Sequence, residues 1–247
     1  MKTVIIIQAR MTSTRLPGKV LREVLGKPLL AYQVERLRRV KLADGIVLAT
    51  TTNPTDEPLA VFAQQEGLPC FRGEELDVLG RYYGAAQMVQ ARTVVRVTSD
   101  CPLIDPNIID QVIRNYQEHS KVAYVSNTLQ RSFPRGLDVE CFSFEALQEA
   151  WQEAKEPYER EHVTPYLYQQ ERFETLGVVS PEDYSQYRWT VDTPEDFELI
   201  RLLLEAIYPQ QPQFSWQDIL RLQEQHPQWR EINAHVEQKK LTEAQVK

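Results

Sequence analysis

The chain has little of what would place it in several large functional classes. It has three cysteines in 247 residues, Cys70, Cys101 and Cys141, with no Cys-x-x-Cys and no His/Cys ligand spacing. That argues against a disulfide framework and a structural zinc site, and leaves each cysteine as a small buried hydrophobe. Cys101 lies beside Asp100, but no base stands near it in sequence to activate a thiol nucleophile. Glycine is scarce, and no Gly-x-Gly-x-x-Gly occurs. A Walker A loop is also missing: before Gly18-Lys19 the first glycine is replaced by Ser13, and Val20 follows the lysine. No apolar run reaches the ~20 residues of a membrane helix. The opening apolar run ends at Ile7 with Arg10 close behind, too short for a signal peptide, so the cytoplasm is the expected location. Positive charge is not in excess either: 28 Lys and Arg face 35 Asp and Glu, a net charge of −7. A nucleic-acid binder relying on a broad basic face is therefore not expected, although a local basic pocket is compatible with that balance.

What the chain does have is concentrated near its start. Val4-Ile5-Ile6-Ile7 is a β-branched run suited to a strand buried on both faces. Gln8-Ala9-Arg10-Met11-Thr12-Ser13-Thr14-Arg15-Leu16-Pro17-Gly18-Lys19 follows, polar, with three positive charges and a Pro-Gly turn signal. A first strand opening into a basic loop is where an open α/β sheet receives a phosphorylated ligand. Arg10 and Arg15 offer forked donors and Lys19 a point charge, as phosphate oxygens require. The plain alternative is a set of solvated surface charges; their joint placement after the first strand speaks for a binding loop.

At 42% hydrophobic and 26% charged residues, the composition is that of an ordinary globular chain, long enough for a full core. Strand signals fall at 3–8, 45–50, 69–72 and 93–98, and helical patterns at 28–40, 57–66, 77–91 and 106–118. This alternation predicts an α/β fold with a mostly parallel, Rossmann-like sheet and helices on both faces. Pro28 is expected at the first position of its helix, and Asp105-Pro106 as cap and first position of the fourth. Beyond residue 120 the pattern changes. Strands are expected at 122–125, 137–142, 173–179 and 187–191, and helices at 143–155, 158–170 and 194–208. Two short helices follow, at 216–225 and 229–237, and the last ten residues read as a frayed tail.

Four segments carry a family resemblance: the opening loop, Arg96-Val97-Thr98-Ser99-Asp100-Cys101-Pro102-Leu103, Tyr158-Glu159-Arg160-Glu161-His162-Val163-Thr164-Pro165-Tyr166, and Trp189-Thr190-Val191-Asp192-Thr193-Pro194-Glu195-Asp196. Over residues 1 to about 205 the chain resembles the sugar cytidylyltransferases, which include the acylneuraminate- and 3-deoxy-manno-octulosonate-activating enzymes. It departs from many of them at Gln8, where they have Pro, and in the spelling Met11-Thr12-Ser13-Thr14. That spelling is most like the spore-coat polysaccharide biosynthesis protein F branch. The resemblance implies a nucleotidyltransferase domain over 1–208, with a sugar-binding and dimerisation part at about 120–185. A C-terminal helical extension would occupy 209–247. It implies a homodimer that uses CTP and a sugar, with Mg²⁺ as cofactor and no nucleic acid or membrane as partner.

Asp100 follows a strand and so lies at a carboxyl end, on the sheet edge of the basic loop. Asp192 follows the expected strand 187–191. Two carboxylates so placed can hold Mg²⁺ against phosphates. As plain alternatives, Asp100 is a loop carboxylate and Asp192 a helix cap before Thr193-Pro194; the resemblance implies metal ligation by both. The implied reaction is attack of a sugar oxygen on the α-phosphorus of CTP, with pyrophosphate leaving. Arg10, Arg15, Lys19 and Asp100 are the expected catalytic residues. Nucleotide contacts are expected from Ala9, Arg10, Arg15, Lys19, Arg72 and Asp77. Sugar contacts are expected from Arg135, Glu140, Arg160 and His162, of which Arg160 and His162 suit an acid sugar's carboxylate. A glycosyltransferase of similar fold is the alternative enzyme, but its usual Asp-x-Asp is missing. A non-catalytic nucleotide-sugar sensor is a further alternative, disfavoured by the presence of both aspartates.

Overall fold

The computed structural model describes residues 2–238. Its strands are β1 (Thr3–Gln8), β2 (Glu23–Val24), β3 (Lys27–Pro28), β4 (Gly45–Thr51), β5 (Cys70–Gly73), β6 (Thr93–Thr98), β7 (Tyr124–Ser126), β8 (Glu140–Ser143) and β9 (Thr175–Gly177). Its α-helices are α1 (Leu29–Leu37), α2 (Glu57–Gln65), α3 (Val78–Met88), α4 (Pro106–Glu118), α5 (Phe144–Glu153), α6 (Pro157–His162), α7 (Pro165–Tyr168), α8 (Pro194–Ile207) and α9 (Trp216–Gln225).

Seven strands form one sheet in the order β5-β4-β1-β6-β8-β7-β9. The first four are mutually parallel. β8 runs antiparallel to both β6 and β7, and β9 is parallel to β7. The chain steps outward from β1 to β4 and β5, then returns to place β6 on the other side of β1. That reversal opens a crevice at the carboxyl ends of β1 and β6, where open α/β sheets bind ligands. The 120–185 segment extends this same sheet by three strands.

The apolar run of β1 is buried on both faces, as expected. Ile5 and Ile7 pack into the cluster containing Leu30 of α1, Ile109 of α4 and Leu203 of α8. Val4 and Ile6 turn to the opposite face, against Leu79 and Tyr82 of α3 and Leu147 of α5. Phe214, Trp216 and Ile219 join the first cluster, so the arm after residue 208 shares the core of the preceding residues.

Four local expectations are corrected. Pro28 precedes α1 with ψ 146° and pairs with Glu23 in a small hairpin. The two turn residues of that hairpin, Leu25 and Gly26, have φ of 53° and 72°, so the helix starts one residue late. The expected helix 158–170 is broken into α6 and α7 at Val163, whose φ of 75° leaves the helical region, and Pro165, which lacks a donor, opens α7 at its first position. Residues 187–191 form no regular strand. They make one parallel bridge, Arg135 to Arg188, and the Val191 N–H donates to the Asp100 carbonyl at 2.8 Å; the partners are loops rather than a strand. The expected helix 229–237 is a 3₁₀ turn over Pro227–Glu231. The expected tail falls outside the described residues except for Gln238.

Candidate active site

A cleft of about 560 Å³ lies at the carboxyl ends of β1 and β6. It brings together Arg10, Arg15, Lys19, Asp100, Arg135, His162 and Asp192 from segments far apart in sequence. Each is placed by identifiable local structure. The loop after β1 closes when the Gly18 N–H donates to the Met11 carbonyl at 3.0 Å, with Gly18 at φ 68°, a conformation suited to glycine. Asp56 anchors the same loop by accepting from the Met11 N–H at 2.7 Å. The chain then enters a 3₁₀ turn, Lys19–Leu21, that turns Lys19 into the cleft.

Lys19 is 9% exposed and lies at the centre of the site. Its ammonium donates to Asp100 Oδ2 at 3.1 Å, Asp192 Oδ1 at 2.8 Å and the Val191 carbonyl at 2.6 Å. Burial disfavours this charge, but Asp100 and Asp192 outweigh burial and raise the pKa above its ordinary value. Burial likewise pushes the Asp100 carboxyl up, but Lys19 and the Thr98 hydroxyl hold it down at about 2. Thr98 donates to Asp100 Oδ1 at 2.6 Å. Asp192 Oδ2 pairs with Arg15 at 3.0 Å and Arg188 at 2.9 Å. Asp192 is not the helix cap: Thr193 caps α8 in a capping box with Asp196.

Asp100 and Asp192 therefore converge on one point, now held by an ammonium group. Their oxygens are hard donors suited to Mg²⁺, which takes its remaining positions from phosphates and water. Among the described residues no group of three or more His, Cys, Asp or Glu could hold a metal, so protein ligation would rest on this pair. Cys101 lines the same cleft, but burial and Asp100 push its thiol pKa well up, which argues against a thiolate nucleophile.

The far end of the cleft continues into a space of about 490 Å³ shared by Arg96, Arg135, Asp138, Glu140 and His162. Arg131 pairs with Asp138 through two bonds of 2.7 and 2.9 Å. Glu140 is buried and accepts from Arg96, from Tyr124 at 2.6 Å and from Thr164 at 2.7 Å. Arg135 lines both spaces, and among the described residues its side chain makes no hydrogen bond or ion pair. Its loop passes so close to residues 189–190 that a side chain on Gly136, at φ 100°, would meet the Trp189 carbonyl. His162 precedes Val163, whose φ of 75° and ψ of −54° form a strained γ-turn closed by the Thr164 N–H on the His162 carbonyl at 2.9 Å. Burial holds the His162 imidazole below its ordinary pKa, which favours its neutral form.

Other expected site residues lie elsewhere. Arg72 is committed to the Thr51 and Asn53 carbonyls and Glu57. Asp77 caps α3 and receives Arg160 at 3.0 and 2.6 Å, so these two expected ligand contacts are joined to each other. Ala9 is buried, and its N–H donates to the Ala49 carbonyl at 3.0 Å. Sequence reasoning missed Arg96 and Arg188. The first was signalled by a charge within an otherwise apolar strand; the second gave no signal, because its pairing needs the fold.

A family model described as cytidylyltransferase matches residues 4–243. The protein MJ1063 of Methanocaldococcus jannaschii is 35% identical over 248 residues, covering 99% of this chain and 100% of that protein. The spore coat polysaccharide biosynthesis protein SpsF of Bacillus subtilis is 34% identical over 233 residues, covering 90% and 94%. The solved cytidylyltransferase from Leptospira borgpetersenii is 33% identical with a TM-score of 0.89, covering 97% of this chain and 100% of that one. The sheet that opens its crevice beside β1 is thus one that a solved cytidylyltransferase shares nearly end to end, and this chain belongs to the cytidylyltransferase family as a CTP-dependent nucleotidyltransferase.

Proposed function

We propose that the protein transfers the cytidylyl group of CTP to an acid sugar, giving a CMP-sugar and pyrophosphate for a surface or spore-coat polysaccharide. The observation that carries this reading is the convergence of Lys19, Asp100 and Asp192 at the switch point of the sheet, with Arg135, which has no side-chain partner among the described residues, lining the same cleft. The name of the Bacillus relative supports the polysaccharide context.

Arg10, Arg15 and Lys19 take the β- and γ-phosphates, and the backbone beside Ala9 borders the nucleotide. Asp100 and Asp192 would hold Mg²⁺, which when bound polarises the α-phosphate and stabilises charge. Positioning and charge neutralisation carry the catalysis, since a sugar oxygen displaces pyrophosphate with no covalent enzyme intermediate. In the sugar half, Arg131 is neutralised by Asp138 and Arg96 by Glu140, leaving Arg135 to meet a carboxylate. His162 lies beside it as a neutral hydrogen-bonding group. Glu140 shapes this half by holding Arg96, and Arg160 and Asp77 act by fixing α6 against α3. Arg72 acts by stabilising the turn after β4.

In this reading the protein works in the cytoplasm as a homodimer joined through residues 120–185. Pyrophosphate release from CTP and Mg²⁺ with a panel of acid and neutral sugars tests the activity. Turnover confined to neutral sugars sinks the acid-sugar reading. A monomer mass by light scattering, with full activity, sinks the dimer.

A further inference from the structure

We infer that the C-terminal arm, residues 209–238, is a working part of the catalytic site: through Asn233 and Gln238 it fixes Arg188, and Arg188 holds the Asp192 carboxylate in register with Asp100. The inference rests on the reading of Asp100 and Asp192 as metal ligands.

Apart from the exposed Gln238, the network is built from buried groups. Arg188 donates from Nε and a terminal nitrogen to both oxygens of Asp196, at 2.9 and 3.0 Å. The same terminal nitrogen reaches Asp192 Oδ2 at 2.9 Å, and the other donates to Gln238 Oε1 at 2.7 Å. Asp196 is fully buried, and its carboxylate also accepts the backbone N–H of Asp192 at 3.0 Å. Asn233 is buried too. Its amide donates to Asp196 Oδ1 at 2.8 Å and to the Arg188 carbonyl at 3.1 Å. A further tie joins the Trp189 indole to Gln223 of α9 at 2.8 Å. The arm thus grips the segment 188–189 on both its backbone and its side chain.

This arrangement divides the two oxygens of Asp192. Oδ2 is held by Arg188 on the side of the arm. Oδ1 faces Lys19 and, through it, Asp100. When phosphates draw Lys19 and Arg15 away, Arg188 is the cation that stays, because Asp196 holds its fork. Oδ1 is then presented for a divalent cation by a carboxylate that cannot rotate freely. Groups that orient a metal ligand in this way typically set affinity rather than supply a bond. Arg188, Asn233 and Gln238 are accordingly positioning residues.

The test uses the full chain with CTP and Mn²⁺ as probes. Bound Mn²⁺ is read by electron paramagnetic resonance, and CTP affinity in metal-free buffer by calorimetry. Arg188→Lys and Asn233→Ala are expected to weaken Mn²⁺ binding about tenfold, while metal-free CTP affinity stays at the wild-type value. Gln238→Ala, an exposed change that removes one bond to Arg188, gives a smaller shift in the same direction and serves if Asn233→Ala does not fold. Asp192→Asn is the control. If it leaves Mn²⁺ binding intact, the metal reading fails and the inference falls with it. If it abolishes the tight site while Arg188→Lys and Gln238→Ala bind Mn²⁺ like wild type, the metal reading stands and the role of the arm is overturned.

Discussion

The Lys19 ammonium donates to Asp192 across 2.8 Å, joining residues 173 positions apart in the chain. Its other carboxylate partner is Asp100, so the Lys19 ammonium lies between two converging negative charges. Lys19→Ala should leave those charges opposed. We expect about a 10²-fold loss of kcat/KM, in line with removal of a preorganised charge at the reacting phosphates. We also expect Mg²⁺ alone to raise the melting temperature of Lys19→Ala more than that of wild type. Equal Mg²⁺ effects in thermal melts would contradict this account.

The pH dependence of Asp100 has a definite sign. In the folded chain Lys19 and the Thr98 hydroxyl hold its pKa down at about 2, below the ordinary carboxylate range. Its contribution is present above the unfolded value and is lost as pH falls through the folded one. That contribution is roughly 2 kcal/mol. In urea titrations, the stability difference between wild type and Asp100→Asn should therefore shrink between pH 4 and pH 2. A constant difference across that window would remove Lys19 and Thr98 as the cause.

Arg15→Lys retains charge but loses the fork. A lysine still reaches one oxygen but cannot match phosphate bidentately. CTP binding should weaken about tenfold, or ~1.4 kcal/mol, with an unchanged circular dichroism spectrum. Calorimetry giving wild-type affinity would make Arg15 a partner of Asp192 alone.

Glu140, an expected sugar contact, is buried and accepts from Arg96, Tyr124 and Thr164. Glu140→Ala leaves Arg96 without its carboxylate and strands the hydroxyls of Tyr124 and Thr164. Breaking a buried pair from one side costs roughly 3–5 kcal/mol, so denaturant midpoints should fall sharply. A variant of wild-type stability that loses only sugar affinity would return Glu140 to direct binding.

The sheet core was legible because its signals are local. Val4 to Ile7 are apolar on both faces, and Asp105-Pro106 caps α4 as expected. That Arg15, Lys19 and Asp100 line one cleft was legible because the first two stand in the loop that follows β1 and Asp100 stands just after β6, and strand ends are where such a sheet binds ligands. Pro28 and the segment 187–191 differ from expectation, because the first closes a short hairpin with Glu23 and the second pairs with loops distant in sequence.

By itself, the sequence determined the alternation of strand and helix, the basic loop and the two aspartates of the site. Only the tertiary structure decided how the charges are shared. Arg160 reads in sequence as a contact for a sugar carboxylate, and the fold pairs it with Asp77. Arg188 carries no motif, yet it holds Asp192 and Asp196 together. Residue type fixes the charge a group can bear, but charge–charge energy depends on distance and burial. Those two quantities exist only once β1, β6 and the C-terminal arm have been brought to one edge of the sheet.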